Sequence, residues 1–361
     1  MVVNTQIIFS KVPTGDPVIG QDITVKESEF DLDTPLNDGD FIVKNLVLSV
    51  DPYIRVRMFD ASIKSDTPPH TLNEPITGET IKLIIKSKSS LYPEQSYVYG
   101  LGSYEEYTKL NDQVAKASGV VVRNDPKTTG IPLSNYVGIL GLPGLTAYVG
   151  LYKIGEIKKG ETIYVSSASG AVGQVAGQIA KAQGLRVIGS AGSDKKVAYL
   201  KEIGFDGAFN YKTEDTDAKL RELCPNGIDV YYEVSFEAFY KRLPVSLNSL
   251  VPMLEIVLTH LNKFGRIICC GMVSQYNLTT PEKVGNLMNI VTKRIKFQGF
   301  VVFDHTDLEP QFLADVTQMI LDKKIKYQET HANGIEKTPQ ALLDILHGRN
   351  FGKQVVDVAS L

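Results

Sequence analysis

The sequence predicts an α/β protein of two domains, a β-rich domain followed by a doubly wound, parallel-sheet nucleotide domain. Three observations carry this. The chain has 361 residues, more than one ordinary domain of about 100–200 residues accommodates. Near residue 136 its hydrophobic pattern changes from short β-rich runs to strands alternating with helix-length segments. A small-residue turn, SASGAVG, follows one of those strands and opens a helix.

Residues 1–135 contain FIVKNLVLSV, TIKLIIKS, QSYVYGLGSYEEYTKL and GVVVR, runs rich in β-branched and aromatic residues and broken by Pro, Gly, Asn and Asp. Residues 136–303 read as alternating strands and helices. The expected strands are TIYVSS, RVIGSA, GAFNY, DVYYEV, GRIICCG and KFQGFVVF, with helices beginning near Gly170, Asp194, Asp215, Ser246 and Pro281. Strands joined by crossover helices form a parallel sheet covered on both faces. Residues 304–361 offer the helix LEPQFLADVTQMILDKKI and then short segments ending in GKQVVDV, a tail expected to return to the first domain.

Composition narrows the partners. Hydrophobic residues make up 43% and charged residues 22% of the chain, which excludes disorder and low complexity. The net charge is −3 and no basic run is present, so nucleic acid and anionic membranes are not expected as partners. Cys224, Cys269 and Cys270 form neither a disulfide framework nor the paired spacing of a structural zinc site. The apolar tract from Val137 to Leu151 is broken by Gly138, Gly141, Pro143 and Gly144 and falls short of the roughly 20 residues a spanning helix needs. The first residues carry no basic leader and no small-residue cleavage pattern, so they do not read as a signal peptide. These features predict a cytoplasmic protein.

The segment TIYVSSASGAVGQVAGQIAKAQGLRVIGSAGS reads as a dinucleotide-binding strand–turn–helix–strand unit. Ala168, Gly170 and Gly173 occupy the G-x-G-x-x-G spacing, with Ala in place of the first Gly. Such a turn brings backbone N–H groups and a helix N-terminus to a pyrophosphate. An NAD-selective site places a carboxylate after the second strand; this chain has Gly192 and Ser193 there, followed by Asp194, Lys195 and Lys196. Lysines can neutralise a 2′-phosphate, which favours NADPH, while Asp194 runs against that reading.

The segments DPYIRVRM, GLPGLTAYVGL, SASGAVGQVAGQIAKAQG, GSDKKVAYLKEIGFDGAFNYK, CGMVSQYN, QGFVVF and GRNFGKQVV occur in this order over nearly the whole chain. Together they resemble the zinc-independent medium-chain dehydrogenase/reductases, in the group of leukotriene hydroxydehydrogenases, prostaglandin reductases and alkenal double-bond reductases. The resemblance implies a GroES-like catalytic domain (1–135), a Rossmann domain (136–303), a return to the catalytic domain (304–361) and a homodimer. It also implies NADPH-dependent reduction of the carbon–carbon double bond of an α,β-unsaturated aldehyde or ketone, a small enal or enone substrate.

Carried onto this sequence, the family's cofactor positions fall on Gly170, Ala171, Val172 and Gly173 for the pyrophosphate and on Lys196 and Tyr211 for the adenosine phosphate. Cys270, Gly271, Ser274 and Tyr276 fall on the nicotinamide side, with Phe300, Val301, Val302 and Asn350 completing the site. One position departs: Val234 follows Glu233 where the family usually has Asn. Zinc-dependent relatives place ligands in the β-rich domain, yet no Cys precedes Cys224, and Asp51 and Pro52 stand near the first ligand position. His70 and Glu74 supply two donors where a site needs about three, so His70 reads as a polar loop residue and no metal is expected.

Hydride addition without a metal leaves the charge on the carbonyl oxygen to hydrogen-bond donors. Tyr276 and Tyr53 match motif tyrosines of the resembled family and are the candidate donors, whereas Arg55 and Arg57 read as structural. Two alternatives share the scaffold: a quinone reductase, and a non-catalytic NADPH-binding protein. The stretch 235–263 is longer than the crossover usual in the family. LVPMLEIVLTHLNK accounts for its helix, and Phe236, Phe239, Tyr240, Leu243 and Val245 are left as a candidate pocket wall.

Overall fold

In the computed structural model, residues 1–65, 67–123, 125–234, 238–239, 251–278, 280 and 283–358 are described, with backbone alone at 126–127, 238–239 and 251–252. The strands are β1 (Val2–Phe9), β2 (Ile23–Phe30), β3 (Asp40–Ser49), β4 (Thr77–Ser87), β5 (Tyr97–Ser103), β6 (Tyr107–Asn111) and β7 (Val121–Arg123). They continue with β8 (Thr162–Val165), β9 (Arg186–Ala191), β10 (Gly207–Asn210), β11 (Ile228–Glu233), β12 (Ala238–Phe239), β13 (Val251–Pro252), β14 (Leu261–Cys269) and β15 (Lys296–Gly299). The last two are β16 (Glu329–Asn333) and β17 (Lys353–Asp357).

The chain divides into two units, Met1–Gly141 with Glu329–Leu361, and Leu142–Gln328. The sequence-based cuts at 135/136 and 303/304 differ from these. The helix Glu309–Leu321 belongs to the second unit, where Asp315 accepts a hydrogen bond from Tyr148 at 2.6 Å, so the chain re-enters the first unit only at β16.

The first unit is a seven-strand sheet in the order β16-β17-β3-β4-β5-β7, with β6 also on β3, plus the β1–β2 hairpin. β3 is buried at nine of its ten positions, as its near-continuous apolar sequence requires of a strand covered on both faces. Ile7, Phe9, Leu48, Ile54 and Val356 form one core, and Phe41, Val43, Ile84 and Val98 another.

The second unit holds a six-stranded sheet in the order β10-β9-β8-β11-β14-β15, every pair parallel. Numbered within the sheet this is 3-2-1-4-5-6, the dinucleotide-binding order whose reversal lies between β8 and β11. The six expected strands are all present. Their extents differ: KFQGFVVF, for one, is a strand only through Gly299, and a 3₁₀ segment begins at Val302. The crossover helix runs only Met253–His260: Pro252 disfavours a helical Val251 before it, and β14 takes over at Leu261. Tyr164 ties the core together, its ring stacked on Tyr231 at 5.3 Å and on Phe209 at 6.0 Å. Of the expected pocket-wall segment, Phe236, Tyr240, Leu243 and Val245 lie outside the described residues. The backbone at Phe239 pairs with Val251.

Candidate functional site

β8, TIYV, is wholly buried and delivers the turn 166–172 to the carboxyl edge of the sheet beside the reversal in strand order. The Ala168 N–H donates to Ser190 O on β9 (2.9 Å), and the Gly170 N–H donates to Ser167 O (2.8 Å). Ser167 itself is left-handed, φ +44°. The two glycines serve different ends. A Cβ on Gly173 would stand 2.7 Å from Ala168 Cα and Ser167 O, so the helix Gly173–Ala182 could not start this close to the strand with any side chain there. A Cβ on Gly170 would meet only Ser167 O, at 3.1 Å, and otherwise open space. The N–H groups of Ala171, Val172 and Gly173 find no acceptor among the described residues, and no side chain caps the helix. Open space above a glycine and uncommitted N–H groups at a helix start fit a pyrophosphate.

Past β9, the Ser193 side chain caps the helix Asp194–Glu202 by accepting from the Lys196 N–H. Asp194 accepts a 2.7 Å hydrogen bond from the Asn210 amide, so the carboxylate that ran against an NADP reading is engaged by β10. Lys196 is half-buried and Lys195 exposed. The Tyr211 hydroxyl lies 2.7 Å from where a Gly192 Cβ would be, and Lys212 Cε lies 3.2 Å from it. The Lys212 ammonium stands over the Tyr211 ring at 5.9 Å. Sequence reasoning missed Lys212; its signal was its place directly after Tyr211 in FNYK.

At the carboxyl end of β14 the backbone turns across β11. The Cys270 N–H donates to Glu233 O at 3.1 Å, and its thiol donates to the same oxygen at 3.4 Å. Gly271 lies where a Cβ would be 3.3 Å from the Tyr276 hydroxyl. That hydroxyl accepts the Met272 N–H at 3.3 Å, and burial pushes its pKa up to about 12. It therefore keeps its proton at neutral pH and has it available to donate. Ser274 lies in the short 3₁₀ turn Val273–Gln275 between them. The Glu233 carboxylate, 1% exposed, accepts from Ser166 Oγ at 2.8 Å and from the Tyr231 hydroxyl. Ser166 Oγ in turn accepts the Val234 N–H at 3.0 Å. Polar groups at this edge thus come from Ser166 and Glu233, which the sequence did not single out, while Val234 contributes its backbone. The Phe300 N–H donates to Cys269 O at 3.2 Å, Val301 is exposed and Val302 buried.

Tyr53 and Asn350 belong to the first unit. The Tyr53 hydroxyl accepts the Glu79 N–H at 3.3 Å. Burial, then the Glu79 and Asp51 carboxylates, raise its pKa well above the usual tyrosine value. Arg55 and Arg57 donate to backbone carbonyls of Gly15, Pro68 and Thr77. Asn350 donates to Gly352 O at 2.6 Å. His70 lies in a loop and is buried there, 4% exposed, with Nε2 3.2 Å from Ile54 O, and burial lowers its pKa to about 3.

A zinc ion does not fit this donor set. Asp51, near the expected first ligand position, is paired with the Lys353 ammonium at 2.8 Å. Among the described residues no three His, Cys, Asp or Glu side chains converge on a point.

Residues 171–318 match the family model of zinc-binding dehydrogenases, and residues 5–117 match that of the N-terminal domain of oxidoreductases. The chain is 41% identical to an NADP⁺-dependent 2-alkenal reductase of Nicotiana tabacum, over 99% of this chain and 98% of that protein. The chain belongs to the medium-chain dehydrogenase/reductases. Within that family it falls in the group of alkenal, pulegone and prostaglandin reductases, and it is 39% identical to the (+)-pulegone reductase of Mentha piperita over 99% of each chain. The solved structure of CurA from Vibrio vulnificus in complex with NADPH superposes with a TM-score of 0.84, at 33% identity, covering 99% of this chain and 100% of that one. This medium-chain reductase is an NADPH-dependent oxidoreductase. No helix among its described residues is long and apolar enough to cross a membrane.

Proposed function

We propose that the chain reduces the carbon–carbon double bond of α,β-unsaturated aldehydes and ketones with NADPH. The observation that carries this is the Tyr276 hydroxyl, held protonated after the carboxyl end of β14, with no acceptor for its proton among the described residues. Ala168, Gly170, Ala171, Val172 and Gly173 would hold the pyrophosphate. Lys196, Tyr211 and Lys212 would surround the 2′-phosphate, and Ser193 would add a hydroxyl. Cys270, Gly271, Ser274, Tyr276, Phe300, Val301, Val302 and Asn350 would border the nicotinamide.

When bound, NADPH supplies the hydride. Tyr276 donates a hydrogen bond to the substrate carbonyl oxygen, where negative charge grows as the β-carbon is reduced. Because that interaction strengthens with the charge, it lowers the barrier rather than merely tightening binding. Tyr53, also protonated, is the second donor in this reading. The α-carbon then takes a proton from water, and the product is the saturated aldehyde or ketone. A panel of enals, enones and quinones with NADPH and NADH in parallel tests the reading; turnover of quinones alone would replace it.

We further propose a homodimer. β15 ends the parallel sheet, its outer edge unpaired among the described residues, and Leu287, Met288, Val291, Phe297, Val301 and Phe303, within it or near it in sequence, are exposed. A monomeric mass by light scattering at micromolar protein would refute the dimer. The cytoplasm, where free thiols persist, suits the three free cysteines.

A further inference from the structure

Lys353 is 0% exposed, a lysine with no access to water. Its ammonium donates to Val50 O at 2.9 Å and to Asp51 Oδ1 at 2.8 Å. The other carboxylate oxygen of Asp51 accepts from Ser49 Oγ, and Ser49 O accepts from the buried Tyr104 hydroxyl. β17 pairs antiparallel with β3, Val355 opposite Ser49, so Lys353 reaches past the end of the ladder to cap the turn that leads into Tyr53.

A buried ion pair of this kind contributes little net stability, since desolvation offsets attraction, and apolar residues of similar volume often do as well. Its effect is to fix geometry. The pair joins two short segments: Asp51 is two residues before Tyr53, and Lys353 directly follows Gly352, whose carbonyl holds the Asn350 amide. Both segments belong to the first unit, and both carry residues assigned to the reaction.

We propose that Lys353 and Asp51 form a positioning pair that sets Tyr53 for its substrate and Asn350 for the cofactor. The inference rests on the reductase reading above. It assigns no chemistry to either charge: Lys353 acts through Val50 O and the Asp51 carboxylate, and these fix the start of the helical turn Tyr53–Val56.

The test separates stability from positioning. Lys353→Met alone should lower Tm, because it leaves Asp51 buried and uncompensated. The double variant Lys353→Met/Asp51→Leu should recover most of that Tm yet turn over an enone about tenfold more slowly and bind NADPH more weakly by fluorescence titration. Adding Tyr53→Phe should cost several-fold in the parent and nothing further in the double variant, the non-additivity of coupled residues. A double variant with parental turnover and NADPH affinity would overturn the proposal, as would an equal cost of Tyr53→Phe in both backgrounds. If the parent turned over no enone, the reductase reading would fail by itself, and the pair would be judged on NADPH affinity alone.

Discussion

The Tyr276 hydroxyl accepts a hydrogen bond from the Met272 N–H, 3.3 Å away, four residues back along its own turn. Among the described residues its phenolic proton meets no acceptor, and burial holds the pKa near 12. Tyr276→Phe should therefore lower kcat by about 10²–10³ with little change in NADPH affinity, the loss typical of one oxyanion donor. A single-turnover rate equal to the parent's would remove Tyr276 from the chemistry. The parent's rate should show no loss assignable to this hydroxyl up to about pH 11, since its folded-state pKa lies above that.

The two glycines of the phosphate turn should respond differently to one methyl group. At Gly173 a Cβ lies 2.7 Å from backbone atoms of Ser167 and Ala168, so Gly173→Ala should lower both Tm and NADPH affinity. Gly170→Ala meets only Ser167 O at 3.1 Å, which a small shift relieves. Its Tm should stay close to the parent's while NADPH affinity falls, because the methyl occupies the space proposed for the phosphate. Calorimetry and fluorescence titration distinguish the two.

Lys196→Ala should weaken NADPH about tenfold or more and leave NADH nearly unchanged, since a charge-assisted bond to phosphate contributes about 1.5–3 kcal/mol. Lys212→Ala should act in the same direction, given its position beside Gly192 and Tyr211. An equal loss of both cofactors would move these lysines out of the 2′-phosphate site.

His70 makes stability depend on pH. Burial, and after it the Arg57 charge, lower its pKa from 6.5 to about 3, so the folded chain keeps the ring neutral while the unfolded chain protonates it. Its contribution is complete above the unfolded pKa and declines as pH falls from about 6.5 towards 3. At pH 5 the folded state should be weaker by about 2 kcal/mol than at pH 8 on this account. In urea titrations His70→Asn, stable enough to measure, should lose that part of the slope; an unchanged slope would show that other groups carry it.

The alternating half of the chain was legible because its signals are local. Short β-rich runs, helix-length segments and a small-residue turn after a strand each act within a few residues. Their extent was harder to read where neighbours compete: Pro252 shortened one helix, and the strand after Lys296 stopped at Gly299. The polar supports of the site were not legible. Ser166 meets Glu233, Asn210 meets Asp194 and Lys353 meets Asp51 only after β-strands distant in sequence have paired. The burial of His70 was not legible for the same reason, since a histidine between prolines and threonines carries no local sign that Phe9 and Ile54 will bury it.

The most direct measurement is the fate of the transferred hydride. The protein would be given NADPH deuterated at the nicotinamide C4 position and an α,β-unsaturated ketone, and the product examined by NMR and mass spectrometry. The expected product is a saturated ketone with deuterium on the β-carbon and the proton on the α-carbon drawn from water. Deuterium on the carbonyl carbon, giving an allylic alcohol, would contradict it.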